Sequence, residues 1–328
     1  MRAVNFIAVV GALLIVGNVH AADTKVSGFV DAQYHWKSDG TGDGFTVDDG
    51  AVYINSEMGV CSATVDVPFQ SKAASGAFSI ATNKMQAYVG HKYNMGVGWK
   101  MGQYDTPFGL EANDANNRVF VRKGIVGTNI LPVVQTGVLI DYAIGGTKLN
   151  LLVGNEHDKG TNPAGGQPEF GAVVNMAFGS MNLDLGFLGQ SKTAGMTYLI
   201  DAVLKYGMGQ LNIGVEFAMK NDPTSPTSTA PGASANSNSQ MGIGALIGFA
   251  MTDTMSLDAR FGYLSKATVG AGTTTGAVVD SAMDIAVGPS FAMSKALKCA
   301  LQYTMMNSTT GGTSTTSHMG TISSIYSF

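Results

Sequence analysis

The stretch Gln210–Lys220, QLNIGVEFAMK, alternates two kinds of residue with period two. Leu211, Ile213, Val215, Phe217 and Met219 share one face, and Asn212, Gly214, Glu216, Ala218 and Lys220 share the other. Successive side chains of a strand point to opposite sides, so this is a strand with one apolar and one polar face. On a helix the same residues would be spread around the whole circumference. Met255–Leu264 repeats the pattern, with Met255, Leu257, Ala259, Phe261 and Tyr263 opposite Ser256, Asp258, Arg260, Gly262 and Leu264. Lys25–Lys37 does so again, with Val26, Gly28, Val30, Ala32, Tyr34 and Trp36 opposite Lys25, Ser27, Phe29, Asp31, Gln33, His35 and Lys37. Met181–Gln190 and Met196–Tyr206 are of the same kind. Strands of soluble proteins run to about 5–6 residues, whereas a tilted strand crossing a bilayer needs about 9–11. These runs have the second length.

Composition agrees. Hydrophobic residues make up 45% of the 328, an ordinary share, but charged residues only 13%, about half of what a soluble surface carries. High apolar content excludes a disordered chain. The 19 Lys+Arg against 23 Asp+Glu give a net charge of −4, which excludes a basic nucleic-acid binder, and two Cys exclude a disulfide scaffold. Low charge with ordinary hydrophobicity implies that part of the surface faces lipid.

The N-terminus carries Met1-Arg2, an uncharged run from Ala3 to Val19, and Val19-His20-Ala21, the layout of a secretory signal cleaved after Ala21. Residues 1–21 are therefore expected to leave, and 22–328 to form one domain. No second apolar run of 18 residues follows. Short connections (57–59, 91–96, 145–146, 179–180, 207–209, 252–254 and 294–295) alternate with long ones (38–48, 70–77, 105–132, 156–169, 191–195, 221–240, 267–276 and 308–316). Transmembrane barrels have short periplasmic turns and longer outer loops. Fifteen connections make sixteen strands, and uncertainty in the boundaries leaves fourteen or eighteen open. The fold class is thus all-β, an antiparallel transmembrane barrel preceded by a cleaved signal. Cys61 and Cys299 fall on apolar faces four strand spacings apart, about 19 Å, too far to bridge.

The final strand carries Ile322, Ser324, Tyr326 and Phe328 on one face. A terminal aromatic on an amphipathic strand resembles the assembly signal of outer-membrane barrel proteins. Together with the strand ladder, it makes the whole mature chain resemble the general diffusion porins of Gram-negative bacteria. Gly102-Gln103-Tyr104-Asp105-Thr106-Pro107-Phe108-Gly109-Leu110-Glu111 is also similar to segments of carbohydrate-porin-like families. The Pro-Glu-Phe-Gly segment of enteric porins is absent from this loop. The resemblance implies a sixteen-stranded homotrimer in the outer membrane, engaged by the barrel assembly machinery through Phe328. It also implies that the third outer loop, here 105–132, folds into the pore.

Porin eyelets set carboxylates against basic side chains, and the transverse field selects ions. The acidic candidates are Asp105, Glu111 and Asp114. The basic ones are Arg118, Arg122 and Lys123. Lys84, Lys100, Asp31, Asp66 and Arg260 are expected to face them from the wall. Further inward charges (Asp141, Asp184, Asp201, Glu216, Asp258, Asp280 and Asp284, with Lys148, Lys205 and Lys298) would line the water of a sixteen-stranded barrel or, in a small eight-stranded one, form a packed ion-pair interior. Phe29, Tyr53, Tyr88 and Tyr104 point inward as well. The acidic excess implies a weak cation preference.

Catalysis finds no support. The mature chain has only His35, His91, His157 and His318, no grouping poises a nucleophile, and His157-Asp158 reads as a solvated pair. No metal-ligand spacing or dinucleotide-binding glycine motif occurs, so neither metal nor cofactor is expected. The leading expectation is a passive channel for small hydrophilic solutes and ions. A structural or adhesion barrel with ligand-binding outer loops, a carbohydrate-specific porin, and a secreted soluble β-protein are the alternatives.

Overall fold

In the structure, a computed structural model, the alternating stretches are strands whose apolar faces point outward. It describes residues 23–40, 43–71, 78–81, 84–93, 95–159, 167–192, 195–223, 237–265, 279–310 and 312–328. The signal-peptide expectation lies outside the described residues. The strands are β1 (Asp23–Lys37), β2 (Gly44–Met58), β3 (Cys61–Ser71), β4 (Phe78–Ile80), β5 (Gln86–Lys92), β6 (Val97–Asp105), β7 (Val134–Ile144), β8 (Thr147–Gly154) and β9 (Glu169–Phe178). They continue as β10 (Met181–Lys192), β11 (Gly195–Met208), β12 (Leu211–Pro223), β13 (Ser237–Ala250), β14 (Met255–Ser265), β15 (Val279–Ala292), β16 (Leu297–Thr310) and β17 (Thr313–Ser327).

Apart from β4 and β5, each strand pairs antiparallel with its sequence neighbours, and β17 pairs with β1 from Phe29↔Ser327 to Lys37↔Met319, closing the sheet. The last rung is carried by Phe328, whose backbone N–H and C=O each bond Gly28 at 3.0 Å. β4 and β5 both pair with β3, at its outer and inner ends respectively. They are two pieces of one wall strand, so seventeen segments build a sixteen-stranded barrel. Closure leaves no unpaired edge, which is what a bilayer demands of a β-structure.

Burial is inverted relative to a soluble protein. In β1 the polar-face residues Asp31, Gln33 and His35 are buried, whereas Tyr34 and Trp36 are exposed. In β14 Asp258 and Arg260 are buried, whereas Leu257, Phe261 and Tyr263 are exposed. The exposed band is the lipid surface. Val215 lies in it at 41% exposure, so Val215→Lys is expected to destabilise the barrel by about 2–4 kcal/mol if the site lies near the bilayer midplane. Denaturant titration of the folded barrel in lipid measures this, and an unchanged midpoint would place Val215 away from the hydrocarbon.

In the described residues the short connections are turns and bends. At Gly145 and Gly179 the backbone has φ of +56° and +62°, a left-handed geometry that two-residue hairpins require and only glycine adopts freely. Several long connections are shorter than expected: strand pairing runs in to Lys192↔Gly195 within 191–195 and to Pro223↔Ser237 within 221–240. The 308–316 segment is not a loop, because β16 and β17 continue to pair up to Thr310↔Thr313. Its Thr and Ser residues make cross-strand hydroxyl bonds such as Thr309–Ser314 at 2.9 Å. The first connection shrinks to 38–43, because β2 begins at Gly44. Cys61 and Cys299 are free thiols on β3 and β16.

Candidate functional site in the barrel lumen

The decapeptide from Gly102 to Glu111 is the end of β6 and the root of the 106–133 segment. Pro107 lacks an N–H and cannot continue the ladder. Thr106 pins the two roots together, donating its hydroxyl to Pro132 O at 2.7 Å and its N–H to Val133 O at 3.1 Å. The segment then turns inward. Gly109 donates its N–H to Asp201 Oδ2 on β11 at 2.8 Å, and Leu110 donates to Glu216 Oε1 on β12 at 2.7 Å. Two wall carboxylates thus satisfy backbone donors that burial would otherwise strand.

Apolar side chains of the segment sit over glycines on the inner wall. A Cβ on Gly186 would lie 2.7 Å from the Phe108 ring, one on Gly214 2.5 Å from Leu110, and one on Gly242 2.8 Å from Ile130. On Gly262 it would meet Ile125 at 2.7 Å. Four strands therefore lack a side chain where the segment packs. Phe108, Ile125, Val126, Ile130 and Leu131 form a buried apolar cluster with Leu188, Leu199 and Leu264 from the wall. Within it, Ile125–Asn129 is a short helix, α1.

The segment also reaches the opposite wall. Tyr53 on β2 donates its hydroxyl to Asp114 Oδ2 at 2.7 Å, and the Ala115 N–H reaches Asp49 Oδ2 at 3.2 Å. Arg118 Nη2 pairs with the same Asp49 oxygen at 2.9 Å, both side chains buried. Arg122 Nη2 lies 3.3 Å from Asp48 Oδ1. Consecutive aspartates can both serve the lumen because the β1–β2 register shifts at this point. Asp31 pairs with Asp49 and Ala32 with Val47, which leaves Asp48 as the extra residue of a bulge. On the β14 side, Arg260 pairs with Glu111 Oε1 at 3.2 Å and Asp284 Oδ2 at 2.8 Å. It also donates to the Arg122 carbonyl and lies 5.1 Å from the Phe120 ring. Glu111 closes the segment on itself by accepting the Gly124 N–H at 2.6 Å. Lys298 on β16 donates to Arg118 O at 3.0 Å.

The expected residues are thus distributed as follows. Glu111, Asp114, Arg118, Arg122 and Arg260 meet in this network. Lys123 lies within the segment, bonded to the neutral Asn113 Oδ1 at 2.7 Å. Burial, then the Arg118 charge, holds its ammonium below the usual lysine range. Lys84 is not on a wall strand but in the break between β4 and β5, from which its Nζ comes within 3.9 Å of Asp49. Asp31 is tied to the wall by Ser323 at 2.6 Å and Gln33 at 2.7 Å. Asp66 and Asp105 share Gln86, whose amide donates to Asp66 Oδ2 at 3.0 Å and whose oxygen accepts the Asp105 N–H at 2.9 Å. Lys100 stands apart over Tyr88 and Tyr104, 5.1 Å and 4.5 Å from their centroids. Asp48 and Asp49 escape a strictly alternating reading, whereas alternation placed Gly214 and Gly262 on the inner face without showing that they seat the segment. The adjacent pair Asp48-Asp49 opposite the single Asp31 was the available signal.

His157 and Asp158 do not face each other. His157 Nδ1 lies 2.8 Å from Glu169 Oε1, while Asp158 Oδ1 accepts the N–H groups of Val133 and Val134 at 2.9 Å each. The pair anchors an outer connection to the root of the lumen segment.

Space remains on both sides. Toward the long connections lies a cavity of 680 Å³, bordered by Asp48, Asp49, Arg118, Arg122 and Ile125. Toward the short turns lies one of 550 Å³, bordered by Leu110, Val119, Asn182, Lys205 and Asp258.

Residues 23–328 match the family model described as "Putative beta-barrel porin-2, OmpL-like". The chain belongs to this family. It is a porin. Among solved structures it is similar to the loop L8 deletion mutant of OmpT from Vibrio cholerae, at 15% identity and a TM-score of 0.64, covering 94% of this chain and all of that one. It is also similar to OmpF of Salmonella typhi in complex with daunomycin, at 11% identity and a TM-score of 0.64, covering 94% and 98%. The anion-selective porin of Comamonas acidovorans matches at 12% identity and a TM-score of 0.62, covering 94% and 100%. At these identities the likeness is one of fold. No curated protein matches by sequence search.

Proposed function

We propose that this porin sits in the outer membrane of a Gram-negative bacterium and passes small hydrophilic solutes and ions by diffusion, without turnover. The 106–133 segment narrows the passage. The observation that carries the reading is its position: it is bonded to β2 on one side and to β11, β12 and β14 on the other. Solvent cavities lie above and below it. A sixteen-stranded barrel without such an insert leaves a wide aqueous channel. A homotrimer, and engagement of the assembly machinery by Phe328, accord with the general porin architecture. The test is single-channel recording of the purified chain in planar bilayers. Stable conductance steps are expected. Their absence, in a preparation that shows the heat-modifiable band of a folded barrel, would instead favour a closed structural or adhesion barrel.

A further inference from the structure

Whole-chain charge is a poor guide to what a channel passes, because ions respond to the charges lining their path. Five cationic side chains border the outer cavity: Lys84, Arg118, Arg122, Lys123 and Arg260. Three carboxylates border it among the described residues: Asp48, Asp49 and Asp284. Adding Glu111, which meets Arg260 from behind the segment, still leaves cations in excess. The chain as a whole is −4, so the mouth of the constriction has the opposite sign from the protein.

Pairing sharpens the imbalance. Asp49 serves two cations, Arg118 at 2.9 Å and Lys84 at 3.9 Å, as well as the Ala115 N–H. Arg260 alone takes two carboxylates, Glu111 and Asp284. Lys123 has a neutral amide oxygen as its hydrogen-bond acceptor. The Nε atoms of Arg118 and Arg122 are buried without a partner among the described residues, as is one carboxylate oxygen, Asp284 Oδ1. Donors therefore exceed carboxylate oxygens, and Ile125, Leu264 and Ala282 give the same cavity apolar walls that focus the field.

We infer that the outer vestibule gathers small oxyanions, solutes bearing phosphate or carboxylate, and that it makes the channel anion-selective. The inference rests on the channel reading above and names its substrate class. Guanidinium forks bind such groups in bidentate fashion, and Arg122 and Lys84, each about a third exposed, are the cations an arriving oxyanion reaches. Arg118, Arg122 and Lys123 ride on the inserted segment, whereas Asp48, Asp49 and Asp284 stand on the wall.

Reversal potentials in a potassium chloride gradient test this. The wild-type channel is expected to prefer chloride. Lys84→Gln with Lys123→Gln is expected to move the reversal potential toward zero. Inorganic phosphate added on the outer side is expected to reduce the chloride current of the wild type and to do so less in that variant. Should Lys123→Gln fail to fold, Lys84→Glu, at a partly exposed position, gives the same shift. Conductance steps with cation preference, or with selectivity unmoved by these substitutions, would overturn the oxyanion inference and leave the porin reading intact. Absence of any steps would overturn the channel reading and this inference with it.

Discussion

Leucine at both Gly214 and Gly242 is expected to lift the 106–133 segment off the wall and to raise single-channel conductance several-fold. Both glycines face the lumen, and a Cβ on them would come within 2.5 Å of Leu110 and 2.8 Å of Ile130. No Cβ sits that close to a neighbour in a relaxed core. Forcing larger side chains into packed space costs about 1–3 kcal/mol per site. The wall cannot yield, because both strands are laddered on each side. The inserted segment can yield, since it is joined to the barrel covalently only at its two roots. Two added leucines take up far less of the lumen than the departing segment frees. In a chain lacking residues 111–129 the same substitutions are expected to leave conductance unchanged or slightly lower. A rise in that background would mean that the glycines act on the wall itself.

Asp49→Ala is expected to free the same segment by a different route. It leaves the buried Arg118 guanidinium without its carboxylate, and removing one partner of a buried pair costs about 3–5 kcal/mol. The Ala115 N–H loses its acceptor in the same step. The loss should be felt locally, because the sixteen-strand ladder does not pass through this contact. Trypsin is the probe, with cleavage after Arg118, Arg122 or Lys123 expected in the variant and resistance in the wild type. Asp49→Leu combined with Arg118→Met replaces both charges by apolar groups and is expected to recover much of the resistance. Equal sensitivity of the single and double variants would show that the backbone bond to Ala115, not the ion pair, holds the segment.

Most of the wall was legible because its physics is local. Asn212, Gly214 and Glu216 face the lumen, and Ile213, Val215 and Phe217 the lipid, through nothing more than the pleat. The short turns were legible for the same reason, since Gly145 and Gly179 report a backbone geometry at their own positions. Two local signals misled. Ser and Thr in 308–316 resemble a loop, yet their hydroxyls bond across strands that stay paired to Thr310↔Thr313. The run 78–90 was expected as one strand, but it breaks between β4 and β5 and places Lys84 in the gap, from which it reaches Asp49.

The lumen contacts were far less legible. Which carboxylate meets which arginine depends on residues far apart in the chain, such as Glu111 and Arg260 or Asp49 and Arg118. No spacing rule relates them until the barrel closes. The bulge at Asp48 breaks the alternation that made the rest readable, and so hides the pair of aspartates that holds two arginines.

By itself, then, the sequence determined that this chain is a lipid-facing barrel with its polar residues turned inward, because period-two alternation over membrane-crossing lengths has one stable solution in a bilayer. Only the tertiary structure decided what the lumen does with those residues. Closure brings the inserted segment against walls from β2 to β14, so glycines become seats, carboxylates become anchors, and an excess of cations gathers at one mouth of a chain whose net charge is negative.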